Sequence, residues 1–387
     1  MAHILIGWEL GAGRGHALRI AQLAKALRAA GHRLSFAVQR VDALDPEAGG
    51  EVWQAPVTPR LLVSAARPWA GPIAGMPDIL ARLGMDDAGL VAAVVRAWDR
   101  LLAAIGPDLV IADFAPFLHL ALANRLPVIA VGTGFAVPPS AMPGFPSLIE
   151  GVSGFDEGKL VENVNAALAA TGRAPIDAAP QIWTATRALI ATFEELDPYA
   201  AHRGDRYVLP VNAGFDAIAG DGDEVFVYGT ERVPPDAPIF AGLARSGLKV
   251  RLHVPRATRE AQERWRALGL VVEPEPLPFT DVARRSRLVA SHGGHGFVCA
   301  ALLAGLPQVV FHYDLEKLIH GLAVARHGLG GHVALRALDP DRFGADLAKL
   351  HADDALAGRA RHAGERMRAR RQPPLDQAIV EAVEALA

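Results

Sequence analysis

The sequence predicts an α/β protein of two doubly wound, Rossmann-like domains facing each other across a cleft. Three observations carry this. Short apolar runs alternate with amphipathic stretches, the pattern of a parallel sheet covered by helices on both faces. The alternation runs through the first half of the chain, lapses, and restarts after residue 220. At 387 residues and 51% hydrophobic content, the chain can build a separate core in each half.

The elements follow in order. HILIG (3–7) is the first strand-like run, and a glycine-rich turn succeeds it. Residues 16–31 then place Ile20, Leu23, Ala24 and Leu27 at helical spacing, with Gly31 as the stop. RLSFAV (33–38), PDLVIADF (107–114) and LPVIAVG (126–132) are further strands, the last two separated by the helical APFLHLALANR. In the second half EVFVYG, LKVRLHVP, GLVVEPEPL, SRLVASHGG, LPQVVFH and GGHVAL read as strands. Residues 196–224, rich in Pro, Gly and Asp and without long periodicity, read as the interdomain linker. The expected limits are 1–210 for the first Rossmann-like domain and 211–372 for the second. A final helix in 373–387 is expected to pack back on the first domain. The basic run 358–374 reads as a solvated helix face, with a weak membrane-surface or acidic-partner contact as the alternative.

Composition removes several classes. A formal net charge of −3 argues against a nucleic-acid binder, which ordinarily shows a basic excess. The lone cysteine, Cys299, cannot form an internal disulfide and fits a reducing compartment. The opening residues lack a basic segment ahead of an apolar one, and no apolar stretch is long enough to span a bilayer. The expectation is a soluble cytoplasmic protein.

Two glycine-rich turns stand out. SHGGHGF (291–297) lies between a strand-like and a helix-like segment. Gly293, Gly294 and Gly296 let the backbone turn tightly and approach a ligand, and the helix that follows aims its free N–H groups at the turn, an arrangement suited to phosphate. His292 can add a hydrogen bond. A plain turn with a core histidine remains the other reading. GWELGAGRGH (7–16) fails as a dinucleotide fingerprint because the third glycine of Gly11-x-Gly13-x-Gly15 comes one residue early. RLSFAV also ends in Gln39-Arg40, with no acid to hold a ribose. His292-x-x-His295 has no second pair at zinc spacing, so neither a metal nor another cofactor is predicted.

Over residues 291–330 the sequence resembles the nucleotide-sugar signature of family 1 glycosyltransferases, the group containing UDP-glucuronosyltransferases and macrolide glycosyltransferases. His292-Gly293-Gly294-His295-Gly296, Ala304-Gly305-Leu306-Pro307 and Gly328-Leu329-Gly330 carry it in order. VFVYGT (225–230), with Gly229 and Thr230, and residues 193–210 extend the resemblance, which is weakest at 45–100 and 138–180. It implies a GT-B fold and inverting, metal-independent transfer from a UDP- or dTDP-sugar to a hydroxyl of a small, lipophilic acceptor. It implies His16 as the base and Asp113 as its orienting carboxylate. Gly229, Thr230, His292, Gly293, Gly294 and Gly296 would hold the diphosphate, and Glu316 and Lys317 would face the sugar.

Other readings stay open beside it. His16 also reads as an ordinary helix-opening histidine, Asp113 as the N-cap of APFLHLALANR, and Glu9 as a reserve base. The sequence departs from the family at Phe297, Ala300, Lys317 and His320, and lacks a glutamine near EPLPFTD. Lys317 brings a positive charge where the family has a neutral amide, which points to a charged sugar or another ligand. Trp69, Met76, Met85, Phe135, Met142, Phe145 and Phe155 are candidates to line an acceptor pocket. A nucleotide-sugar-binding auxiliary protein without turnover and a sugar-nucleotide epimerase are the alternative functions.

Overall fold

A computed structural model describes residues 1–11, 14–44, 49–63, 73–210 and 216–386. Gly13 and Trp69 lie outside the described residues. The chain divides into two compact units, Met1–Val211 with Gln372–Ala387, and Asn212–Arg371.

The first unit holds seven parallel strands: β1 (His3–Trp8), β2 (Arg33–Val38), β3 (Glu51–Gln54), β4 (Leu109–Asp113), β5 (Val128–Gly132), β6 (Arg187–Ala191) and β7 (Tyr207–Val208). Their order is β3-β2-β1-β4-β5-β6-β7. The second unit holds six: β8 (Glu224–Tyr228), β9 (Val250–His253), β10 (Val271–Val272), β11 (Ser286–Ser291), β12 (Gln308–His312) and β13 (Gly330–Ala334). Their order, β10-β9-β8-β11-β12-β13, repeats the pattern of the first sheet. Each sheet grows outward from its first strand in one direction and then reverses. Ligands in such sheets bind at this reversal, outside the carboxyl ends of the strands. In the first sheet the reversal pairs Trp8 with Asp113, and in the second Tyr228 with Ser291.

The apolar runs form strands because both of their faces are covered. Ile4, Ile6, Phe36, Val38, Leu109 and Ile111 are buried against Ile20, Leu23 and Leu27 of the helix Arg14–Ala29. Leu375, Ile379 and Val383 of the helix Leu375–Glu384 enter the same core, so the chain's last segment belongs to its first unit. In the second unit Val225, Val227, Leu252, Leu288 and Val309 pack with Phe240 and Trp265, whose rings lie 4.7 Å apart.

Three strands lack the signal that marks the others. β3 is an exposed, half-polar edge strand, β7 has two residues, and β6 is buried only at its end. The segment read as a linker contributes to the first unit before it leaves. Asp197 and Arg203 form a buried pair at 2.7 Å, and the Tyr207 hydroxyl donates to Asp197 at 3.1 Å.

Candidate functional site

The first cluster sits at the reversal between β1 and β4. The chain leaves β1 at Trp8, turns, and enters a helix whose first turn carries His16. Asp113 ends β4 and is fully buried. His16 Nδ1 lies 2.8 Å from Asp113 Oδ1. With Nδ1–H donating to the carboxylate, Nε2 is left as the acceptor nitrogen. The imidazole lies between the Trp8 ring at 5.4 Å and the Phe114 ring at 6.4 Å, nearly parallel to both.

Asp113 has a second partner that the sequence reading missed. Buried Arg19, one helical turn beyond His16, donates Nε to Oδ2 at 2.9 Å and Nη2 to Oδ1 at 2.7 Å. Its Nη2 is also 3.0 Å from His16 Nδ1. Burial alone would raise the Asp113 pKa, but Arg19 and His16 outweigh it and hold the carboxyl below its ordinary value. The available signal was the spacing His16-x-x-Arg19, which places both side chains on one helix face.

Asp113 is therefore not a helix cap. The helix Pro116–Leu122 has no side-chain bond at its own N-cap, Ala115. Glu9 serves that end from a distance, accepting from Phe117 N at 2.9 Å and Leu118 N at 2.7 Å, and also from Trp98 Nε1 at 2.5 Å. Burial pushes its pKa up to about 8 against those three donors. Its oxygens are committed to them, so Glu9 is not placed as a reserve base.

Gly11, at φ 90°, has a conformation that side chains rarely adopt, and a Cβ there would fall 2.2 Å from His16 Nε2. Gly11→Val should displace the imidazole and break its 2.8 Å contact with Asp113. The Nδ1–H proton resonance of the variant checks this, and an unmoved ring would show that the turn accommodates the added side chain.

The second cluster sits at the corresponding reversal between β8 and β11. Gly229 and Thr230 follow β8, and a Cβ on Gly229 would strike Val254 at 2.6 Å. His292 and Gly293 follow β11. Gly293, at φ 82°, has Val310 and Lys317 where a side chain would go. Gly294 is the N-cap of the helix His295–Ala304, which opens two residues earlier than Phe297. Gly296 lies within its first turn, where a Cβ would meet open space. A Cβ on Gly294 would lie 2.9 Å from His292 Nε2. Burial, then Lys317, lowers the His292 pKa to about 4, so the ring is neutral near pH 7.

Tyr313 and Arg232 join this cluster without having been singled out in the sequence. The Tyr313 ring stacks on His292 at 6.4 Å, and its phenol hydrogen-bonds Thr230. The Arg232 backbone N–H donates to Thr230 Oγ1 at 3.4 Å. Lys317 Nζ contacts Glu316 Oε2 at 2.5 Å. Burial works against the ammonium, but Glu316 and Asp314 outweigh it and raise its pKa. The charge that the sequence offers to a charged sugar is thus met within the chain by Glu316.

The departures have local explanations. Phe297 stacks on Tyr228 at 5.1 Å and meets Phe279, from the EPLPFTD stretch, edge-on at 5.5 Å. Buried His320 holds the Gly293 carbonyl through Nδ1 at 2.8 Å. Of the expected acceptor residues, Phe135 meets Phe114 edge-on at 6.3 Å, whereas Phe145 packs with Trp183 and Tyr199. Met76, Met85 and Met142 are buried in the interior. A hollow of about 360 Å³ lined by Arg28, His32, Arg33 and Glu51 lies at the amino ends of β2 and β3, the opposite edge from His16. Among the described residues no three metal-ligating side chains converge, and no helix is long and apolar enough to cross a membrane.

The two sheets, with their repeated order and site residues at both reversals, define a GT-B protein. Residues 265–386 match the family model of the erythromycin biosynthesis protein CIII-like, C-terminal domain. No curated protein sequence matches the chain. Among solved structures, the spinosyn rhamnosyltransferase SpnG superposes with a TM-score of 0.69 at 18% identity, covering 100% of both chains. The calicheamicin glycosyltransferase CalG4 gives 0.68 at 21%, covering 100% of this chain and 98% of the other. SpnG complexed with thymidine diphosphate gives 0.63 at 19%, covering 99% and 100%. These likenesses establish the GT-B fold over the full length.

Proposed function

We propose that the chain is an inverting, metal-independent glycosyltransferase that moves a sugar from a UDP- or dTDP-sugar to a hydroxyl of a small, lipophilic acceptor. The observation that carries this is the 2.8 Å His16–Asp113 contact, with Nε2 facing the bare backbone of Gly11. A sugar donor needs its acceptor's proton removed as the oxygen attacks, and an imidazole oriented by a carboxylate suits that work. The C-terminal family match and the thymidine diphosphate bound by SpnG support a nucleotide-sugar donor.

In this reading the acceptor oxygen bonds to the anomeric carbon from the face opposite the leaving group. The bond from that carbon to the diphosphate oxygen breaks and its electrons stay with the diphosphate. The acceptor proton goes to His16 Nε2. One displacement inverts the anomeric centre. His292, Thr230 and the N-terminus of the helix His295–Ala304 receive the developing negative charge. Glu316 and Lys317 face the sugar hydroxyls.

Transfer assays with UDP- and dTDP-sugars over a hydroxyl acceptor panel test the reading. Product with an inverted anomeric centre is expected. Nucleotide binding without product would favour the auxiliary-protein reading, which the departures from the family at Phe297 and Ala300 motivate. Conversion of the donor without acceptor would favour an epimerase.

His292→Ala should weaken binding of UDP or dTDP by about 1.5–3 kcal/mol, the range for a hydrogen bond to a charged group. Isothermal titration calorimetry measures this, and unchanged affinity would remove His292 from phosphate binding.

A further inference from the structure

We propose that the acceptor hydroxyl taken at His16 is an acidic one, that of a phenol, rather than an ordinary alcohol. This rests on His16 being the base. The first observation is the charge of the cluster. Asp113 is matched by the bidentate Arg19, so His16, Asp113 and Arg19 sum to zero before proton uptake. Uptake at Nε2 leaves the three at +1, with the Nδ1 side of the imidazolium 3.0 Å from Arg19 Nη2. A histidine on an unmatched aspartate would instead pass from −1 to zero. A cluster that becomes positive retains an oxygen bearing full negative charge and penalises one that does not. Glu9, in the same loop, is bonded by the amides of Phe117 and Leu118 and not by His16 or Arg19.

The second observation is independent. Phe114 has φ 44°, a left-handed conformation costly for a bulky residue. That backbone directs its half-buried ring alongside His16 at 6.4 Å and against Phe135 at 6.3 Å. Strain held next to a base places aromatic surface where the acceptor's body must lie, and aryl rings pack well on such surface. The balance of the step is that of direct displacement: the phenol O–H bond breaks and its proton goes to Nε2, its oxygen bonds to the anomeric carbon, and the bond from that carbon to the diphosphate oxygen breaks with its electrons on the diphosphate.

The test needs no sugar donor. The full chain is titrated with 4-nitrophenol and with 4-nitrobenzyl alcohol, which shares the nitroaryl ring but has a far less acidic hydroxyl. Binding is followed by calorimetry, and phenolate by its absorbance. The phenol is expected to bind at least about tenfold tighter and as phenolate, with the phenolate band lost in His16→Ala. Arg19→Met should weaken phenolate binding, and Arg19→Lys, which keeps the charge, should restore it. Equal binding of the two ligands, or nitrophenol bound in its protonated form, would overturn the proposal. That comparison in the unaltered chain stands even if Arg19→Met does not fold. Bound phenolate without transfer from any UDP- or dTDP-sugar would count against the transferase reading and not against this one.

Discussion

His16→Ala is expected to lower sugar transfer by ~10²–10⁴-fold, the usual contribution of a positioned general base, while nucleotide affinity stays within a few-fold. The imidazole belongs to the first unit, and the residues assigned to the diphosphate all belong to the second. Its removal therefore leaves the phosphate turn intact. His16 is partly exposed, so truncation leaves no buried charge unpaired except through Asp113, which keeps Arg19. Kinetics and nucleotide titration on the same preparation separate the two effects. A fully active variant would remove His16 from the mechanism.

Asp113→Ala should act differently. The substitution strands Arg19, a buried guanidinium that donates Nε and Nη2 to Asp113. Removing one partner of a buried pair costs about 3–5 kcal/mol, so a large stability loss should accompany loss of transfer. The pH dependence of the unaltered protein carries the same signature. The Asp113 pKa is lowered in the folded chain, so its stabilisation is present above the ordinary carboxylate range and is lost as pH falls through the lowered value. Denaturant unfolding of both proteins at neutral and acidic pH checks this. An Asp113→Ala protein as stable as the original would mean that the Arg19 charge finds another partner or solvent.

The two clusters share a physical logic. Both lie where a parallel sheet reverses its direction of growth, and both carry a histidine, His292 directly after β11 and His16 in the first turn of the helix that follows β1. They differ in their partners. His16 keeps a carboxylate partner, whereas burial and Lys317 keep His292 neutral. On the proposed reading the first takes up a proton and the second donates a hydrogen bond.

The sequence by itself determined the class of the fold, because continuous apolar runs such as HILIG and LVIAD can be satisfied only by strands covered on both faces. It also determined the location of both turns, since glycine clusters between a strand and a helix have few other uses. Asp113 stands at the end of such a run, and His16 in the helix that opens after the first turn. What only the tertiary structure decided was partnership. Arg19 looks like any helix arginine until β4 brings Asp113 to it across ninety-four positions of chain. Glu9 looks like a spare base until its oxygens meet the amides of Phe117 and Leu118. Edge strand β3 and two-residue β7 gave no periodicity to read, because neither is buried along its length. Burial patterns are written locally along the chain, whereas the partner of a charge is fixed by which strand ends the sheet sets side by side.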